Sequence, residues 1–271
     1  MVRGRPAAMT DRPRPGVSER RQVALRSTLL QAVWNYETLQ AVGFAWALLP
    51  GLGRLYPDPR IRRERVLAYL ELFNTNPYLA PIAMGVVLRL EREVARGVAG
   101  AEGRIRRLVG ALRGTLGALG DDLFWAGWRP ALGAAAASAA LVSHSWWPAL
   151  GYWLAYNTLT QAIRIQGVAA GYTSGSGIAR VLQDPFWRRA SDATRLGGAA
   201  VSGAALALGA AAGLTGGGWP EAGLFFLSVA LLGLAARPVG SGGRRRSPAL
   251  AFRALVILLS ALYHASAGTL P

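Results

Sequence analysis

Apolar residues in the first half of the chain recur at helical spacing and are interrupted by short polar stretches. Between residues 27 and 49 they fall three and four positions apart, with Asn35, Glu37 and Gln40 among them, and Pro50 follows. This pattern predicts an amphipathic helix that ends at the proline. Because its polar residues make it unsuited to crossing a bilayer alone, we expect it to lie at a membrane interface or against a partner.

The next two helical patterns predict a hairpin. Residues 58–73 form the first pattern, the polar turn NTNPYLAP follows with prolines at 77 and 81, and the second pattern changes from apolar to charged and ends near Gly97. Irregular backbone at membrane depth is tolerated where protein or a water-filled cavity covers it. The proline-containing tip therefore indicates a re-entrant element.

Longer apolar stretches dominate the second half of the chain. Residues 130–143 and the long pattern after them predict helices, and residues 177–195 predict an amphipathic surface helix. The stretches 196–214, 222–236 and 249–266 are candidate transmembrane helices, because about 20 apolar residues cross a bilayer. The predicted fold class is an all-α integral membrane protein in which amphipathic and re-entrant helical hairpins are followed by transmembrane helices.

Composition agrees with a membrane protein. Hydrophobic residues make up 52% of the 271-residue chain and charged residues 16%, whereas soluble domains are about 25% charged. The net charge of +16 comes from arginines that cluster in 1–26, 60–113 and 237–253 and leave the apolar stretches almost free of charge. That distribution marks the cytoplasmic side of membrane segments and argues against a nucleic-acid partner. With no cysteine in the chain, disulfides, cysteine-bound zinc and iron–sulfur clusters are excluded.

These patterns divide the chain into three regions. Residues 1–20 are rich in arginine and proline, lack the apolar core of a signal peptide, and are predicted to form a disordered basic cytoplasmic tail. Residues 21–195 form a motif-bearing membrane region with re-entrant hairpins. Residues 196–271 hold the predicted transmembrane helices, with a basic linker at 237–247.

An acid pair stands out in the apolar stretch LGALGDDLFWAGWRPALG, residues 116–133. Asp121 could cap a helix N-terminus. Burying ionisable groups in an apolar segment nevertheless costs free energy, so we treat such groups as candidates for a functional role. In an α-helix Asp122 and Arg129 would lie two turns apart on one face. Trp125 or Trp128 could stack on a sugar ring or belong to an interfacial aromatic belt. Capping and a functional role are compatible.

The remaining polar motifs predict binding rather than catalysis. Asn74 or Thr75 could cap a helix, or the amides of Asn74 and Asn76 could bind the hydroxyls of a sugar at an embedded tip. Neither His144 nor His264 has both a serine and an aspartate nearby, so a catalytic triad is not expected. The stretch SGSGIAR lacks the lysine of a phosphate-binding loop. We expect no metal and no cofactor.

Four segments together resemble a known family in their order and spacing. WNYETLQAVGFAWALLPGLGRLYPD (34–58), YLELFNTNPYLAPIAMGVVLRLE (69–91), LGALGDDLFWAGWRPALG (116–133) and YNTLTQAIRIQGVAAGY (156–172) are similar to motifs of the IID membrane subunit of the mannose/fructose/sorbose family of bacterial sugar phosphotransferase systems. The resemblance is strong over residues 25–195.

The resemblance implies a non-catalytic, multi-pass subunit of the bacterial cytoplasmic (inner) membrane. With a IIC subunit it would form the path of a hexose or hexosamine through the lipid bilayer, in a multimer of IIC–IID pairs. The separate IIB and IIA units would carry the phosphoryl group. The residues expected to line or shape the sugar route are Asn74, Asn76, Asp121, Asp122, Trp125, Arg129, Asn157 and Gln161.

One position departs from the family pattern. Asp122 stands where the family usually has a proline after the first aspartate, so a residue that fixes the backbone becomes a second charge. The departure keeps an alternative open, in which the chain is a divergent IID-like membrane scaffold, or a regulatory or sensing protein, without transport activity.

Overall fold

A computed structural model describes residues 15–216, without the side chains of 141, 142, 205, 206 and 208–216. The chain divides into two compact units, Met1–Ala205 and Leu206–Pro271, and the packing and cavities below belong to the first. The described residues are all-α, as predicted. Their α-helices are α1 (Val17–Arg26), α2 (Ala41–Leu55), α3 (Pro59–Leu67), α4 (Ala80–Ala95), α5 (Ala101–Gly120), α6 (Arg129–Ser143), α7 (Trp147–Ser174), α8 (Ile178–Leu182) and α9 (Pro185–Gly216).

The helix predicted over 27–49 is wrong in its first half. Residues Ser27–Leu29 form a short 3₁₀ turn and the chain then loops to Gln40 before α2 begins. The Asn35 side-chain oxygen accepts hydrogen bonds from the backbone N–H groups of Glu37 (3.0 Å) and Thr38 (2.8 Å). Such a side-chain turn offers the backbone an alternative to a helix. The predicted stop at Pro50 is also wrong, because α2 continues to Leu55.

The hairpin that contains NTNPYLAP has the predicted order of elements. Asp58 caps α3 by accepting a hydrogen bond from the Arg60 N–H at 2.8 Å, and Pro59 occupies the first turn. The α3 helix ends at Leu67, earlier than predicted, and a loop leads to α4, which is almost entirely buried.

Helices α4 and α7 pack at close range through glycines. A methyl group added at Gly171 would lie 2.0 Å from the Ile82 carbonyl oxygen, and one added at Gly85 would lie 2.2 Å from the Val168 carbonyl oxygen. Gly167 and Gly171 are four residues apart, the small-residue spacing that lets helix backbones approach closely. This contact holds α7 against the core that α2 and α4 form around Phe44, Leu48, Leu52, Met84 and Leu88.

A carboxylate is buried at the charged end of α4. The Glu91 side chain is fully buried and accepts hydrogen bonds from the Tyr56 hydroxyl (2.6 Å), from the Tyr69 hydroxyl and from Arg65, whose Nη2 lies 2.7 Å from Oε1. Arg65 also pairs with the exposed Glu102. Burial first, and then the charge of Glu91, raise the pKa of Tyr69 well above its ordinary value. The network ties the loop after α3 to α4.

The C-terminal part of the described chain differs from the predicted boundaries. Residues 177–195 are split between a 3₁₀ turn, α8 and the start of α9. None of the helices in the described part of the chain has both the length and the apolar character needed to cross a membrane, and the span predicted at 196–214 falls within α9. The spans predicted at 222–236 and 249–266 and the linker at 237–247 lie outside the described residues.

The tail predicted for residues 1–20 is also only partly described. Residues 17–20 form the first turn of α1, so they are helical rather than disordered. Residues 1–14 lie outside the described part of the chain.

Candidate functional site

Two loops from distant parts of the sequence pair with each other beside α5. The Gln40 N–H donates to the Phe73 carbonyl at 2.8 Å, and the Phe73 N–H donates to the Thr38 carbonyl at 3.2 Å. The Gln40 side chain is buried and bonds both backbone groups of Thr75, donating to its carbonyl at 2.9 Å and accepting from its N–H at 3.0 Å. Leu39 has a φ of 57°, which turns the chain into this pairing.

The second of these loops, residues 72–78, is also fixed onto α5. The Thr75 hydroxyl donates to the Arg113 carbonyl at 2.9 Å. Asn76 is buried; its Nδ2 donates to Asp121 Oδ1 at 3.1 Å, and its Oδ1 accepts from the Tyr78 N–H at 3.1 Å. The approach is close enough that a methyl group at Gly120 would lie 2.2 Å from Asn76 Cγ. The asparagine is therefore held in one orientation beside the carboxylate.

The acid pair lies inside a helix rather than at its start. Residues Asp121–Trp128 form a π-helical segment that continues α5 directly into α6. The predicted N-cap role of Asp121 is therefore wrong, since this position has no free helix N-terminus. Wide turns of this kind change the number of residues per turn and occur frequently at functional sites. Accordingly, the ion pairs of the described residues do not include Asp122 with Arg129.

Aromatic rings gather where the π-helical segment meets α7. The ring of Tyr78 lies 4.8 Å from that of Phe124, 5.7 Å from that of Trp125 and 5.8 Å from that of Tyr156, measured between centroids. The Arg129 guanidinium lies over the Trp125 ring, 4.8 Å from its centroid. Arg129 thus stacks on an aromatic face, which favours a cation, instead of pairing with Asp122.

A polar cavity of about 550 Å³ opens between the paired loops and α5. We refer to it as the amide cavity. Its volume lies within the range of small-molecule sites. The polar side chains in its wall are those of Gln31, Gln40, Asn74, Thr75, Asn76, Arg113 and Asp121, and Trp125 adds an aromatic face.

A second cavity of about 230 Å³ adjoins the first. We refer to it as the arginine cavity. It shares Gln31, Pro77 and Trp125 with the amide cavity. The wall contributed by α7 consists of Asn157, Thr160, Gln161 and Arg164. These residues follow the i, i+3, i+4, i+7 spacing of one helix face.

The structure brings together six of the eight residues predicted for the site. They line one or both cavities: Asn74, Asn76, Asp121, Trp125, Asn157 and Gln161. Asp122 and Arg129 are exposed and line neither cavity, because the π-helical segment changes their register. Sequence reasoning missed Gln40 and Arg164 as site residues. The spacing of the polar residues on α7 was a signal for Arg164, whereas Gln40 is identified only by its contact with Thr75.

Comparison with known proteins gives one consistent family. A model for the PTS system mannose/fructose/sorbose family IID component matches residues 17–209. The chain is 35% identical over 188 residues to the mannose-specific EIID component of Escherichia coli strain K12, an alignment covering 69% of this chain and 66% of that protein. It is 33% identical over 161 residues to the fructose permease IID component of Bacillus subtilis strain 168, covering 59% of this chain and 57% of that protein. The chain therefore spans just under two thirds of the first relative and less of the second.

A solved structure gives the same result for the fold. The chain is similar to a subunit in the cryo-electron microscopy structure of the mannose transporter ManYZ with microcin E492, with a TM-score of 0.56 and 35% sequence identity. The match covers 70% of this chain and 69% of that one.

Proposed function

The chain belongs to the mannose/fructose/sorbose family of phosphotransferase IID components, as its four motifs predicted, and from this membership we propose its function. With a IIC subunit it forms the path by which a hexose or hexosamine crosses the bacterial cytoplasmic membrane. Uptake is coupled to phosphorylation by the IIA and IIB units. We further propose a multi-pass placement, with the apolar stretches at 222–236 and 249–266 as candidate spans.

The convergence of the four family motifs on the two adjoining cavities carries this proposal. Gln40 comes from the first motif, Asn74 and Asn76 from the second, Asp121 from the third, and the polar face of α7 from the fourth. Residues that come from different motifs are separated by more than 30 positions in the sequence. If they only capped helices, they would have no reason to line two adjoining cavities.

The chemistry of the amide cavity suits a neutral polyol. Asparagine and glutamine amides both donate and accept hydrogen bonds, and a carboxylate accepts them strongly. A sugar hydroxyl also does both. Trp125 presents an apolar face to the cavity, where the C–H face of a sugar ring can pack. Asn76 and Asp121 are already bonded to each other at 3.1 Å, so their free lone pairs and protons are oriented before a ligand enters.

The proposal assigns no phosphoryl carriage to this chain. His144, the histidine within the described residues, lies in the turn between α6 and α7 and lines neither cavity. A phosphorylated histidine on IIB would therefore deliver the phosphoryl group to the sugar held at the membrane path.

Uptake by matched aspartate variants tests the proposal. The chain is expressed with the IIC, IIB and IIA proteins of its own organism in a host that lacks such systems, and uptake of labelled hexoses and hexosamines is measured. In Asp121→Asn a charged hydrogen-bond acceptor becomes neutral, so we expect the apparent KM to rise about tenfold. Asp122→Asn makes the same chemical change on the neighbouring residue, outside both cavities, and should change KM less than twofold.

The outcomes separate the candidate functions. If Asp121→Asn and Asp122→Asn change the apparent KM equally, the amide cavity is not part of the sugar path. If the full set of subunits assembles and takes up none of the sugars, the transport function is wrong. The alternative of a divergent scaffold or regulatory protein, which the Asp122 departure keeps open, would then take its place.

A further inference from the structure

Arg164 is a buried cation whose described surroundings contain no counter-ion. Its side chain is 5% exposed. Its Nη1 donates to the Ser27 carbonyl at 2.7 Å and to the Ser27 hydroxyl at 3.1 Å, and its guanidinium lies 5.3 Å from the centroid of the Tyr78 ring. Among the ion pairs of the described residues there is none to Arg164. A buried charge is normally paired, because removing it from water is costly.

The guanidinium also keeps hydrogen-bonding capacity. Arginine has five N–H donors in a planar fork, and both of its described hydrogen bonds start from Nη1. A fork of this kind matches the oxygens of a phosphate or carboxylate. Arg164 forms part of the wall of the arginine cavity, so an anion in that cavity would reach the remaining donors.

The same cavity contains an acceptor that lacks a donor. Gln161 Oε1 is buried and has no hydrogen-bond partner in the described structure. A buried carbonyl oxygen left in this way costs free energy, and a hydroxyl group of a ligand would satisfy it. The arginine cavity therefore offers a cation for an anionic group beside an acceptor for a hydroxyl group. A sugar phosphate carries both groups.

We propose that the arginine cavity binds the phosphate of a sugar phosphate monoester, with Arg164 as its cationic partner. The inference rests on the proposed function, in which such an ester is the product. The two cavities adjoin, with Gln31, Pro77 and Trp125 in the walls of both, and the proposal places one ligand across them. Asp121 repels a dianion, so the phosphate lies toward Arg164 and the hydroxyl groups lie toward the amides. IID would thus retain the product after its phosphorylation.

Equilibrium binding to the complex of this chain with its IIC subunit tests the inference. The probes are mannose, glucose, fructose and N-acetylglucosamine, together with the 6-phosphate of each. We expect at least one 6-phosphate to bind about tenfold or more tightly than its parent sugar, since each bidentate charge-assisted contact is a strong one. In Arg164→Gln that preference should disappear. In Arg180→Gln, which removes an exposed arginine on α8 outside both cavities, it should remain.

Each possible result has a distinct meaning. If the complex binds a free sugar but prefers none of the 6-phosphates, the inference is wrong and the proposed function stands. If it binds no probe at all, the proposed function fails as well. If Arg164→Gln does not assemble, the wild-type preference still decides, and Arg164→Lys should give an intermediate preference. If bilayers of an anionic phospholipid displace the sugar phosphate completely, a lipid headgroup is the source of the phosphate and the inference is overturned.

Discussion

Gln40→Leu isolates the contact that holds the two site loops together. Leucine is one atom shorter than glutamine and has no polar atoms, so it fills most of the buried space while removing both hydrogen bonds to Thr75. The Thr75 N–H and carbonyl then remain buried without their partner, because Thr75 is 6% exposed. Residues 74–76 would lose the support that holds Asn76 beside Asp121.

The structure gives the expected size of this effect. An unsatisfied buried backbone group costs about 1–3 kcal/mol, so losing both partners costs about 2–6 kcal/mol before the gain from an apolar side chain is subtracted. For a chain of this size 1 kcal/mol lowers the melting temperature by about 2–4 °C. We therefore expect the apparent melting temperature of Gln40→Leu to fall by about 5–15 °C.

Thermal unfolding of the purified IIC–IID complex, followed by fluorescence-detected size exclusion after heating, measures the change. Gln31→Leu is the matched control, because Gln31 is exposed in the same cavity and has no described side-chain hydrogen bond. Sugar uptake gives an independent reading, and Gln40→Leu should lose most of it. A melting temperature within 2 °C of Gln31→Leu, with uptake intact, would refute the role assigned to Gln40.

Two further substitutions probe the frame around the site by the same melting assay. Gly171→Ala places a methyl group against the Ile82 carbonyl and should cost about 1–3 kcal/mol. Gly151→Ala is the control on the same helix, because a methyl group there has no neighbour within 4 Å, and it should not destabilise the protein. Equal melting temperatures of the two variants would contradict the close packing of α4 and α7. Glu91→Gln removes the charge of a fully buried carboxylate that pairs with the partly buried Arg65, and should cost about 3 kcal/mol. Glu102→Gln, at an exposed position, should cost under about 1 kcal/mol. If Glu102→Gln lowered the melting temperature more than Glu91→Gln, the stabilising role of the buried network would be excluded.

Sequence patterns predicted the helices whose apolar residues recur over long stretches. The α4, α6 and α7 helices lie where apolar residues recur over 14 or more positions, so local propensity and packing agree. The prediction failed between 27 and 40, where apolar spacing is also helical. There the side chain of Asn35 bonds the backbone two and three residues ahead, and Gln40 bonds Thr75 across 35 residues. These contacts form only in the folded chain and override the periodicity.

The site was predictable to the extent that residue chemistry determines it. Amides, a carboxylate and a tryptophan in an apolar chain pointed to six of the residues that line the two cavities. Arg164 was not identified, although the spacing of the polar residues on α7 places it on the same face as Asn157 and Gln161. A cation on a helix is ordinary, and its burial against Ser27, 137 residues earlier in the chain, has no signature in the sequence.

The π-helical segment explains how the departure at Asp122 fits the site. A continuous helix of α5, Asp121–Trp128 and α6 runs past the cavity. The side chain of Asp121 bonds Asn76 and lines the amide cavity, whereas that of Asp122, which is exposed as well, lines neither cavity. The second charge therefore stays in solvent-accessible space and adds no repulsion inside the amide cavity. A proline at 122 would remove a backbone donor from this turn, so the substitution changes how the helix is held at Asp121 rather than which groups a ligand meets. The chemistry of the amide cavity is thus compatible with either residue at 122.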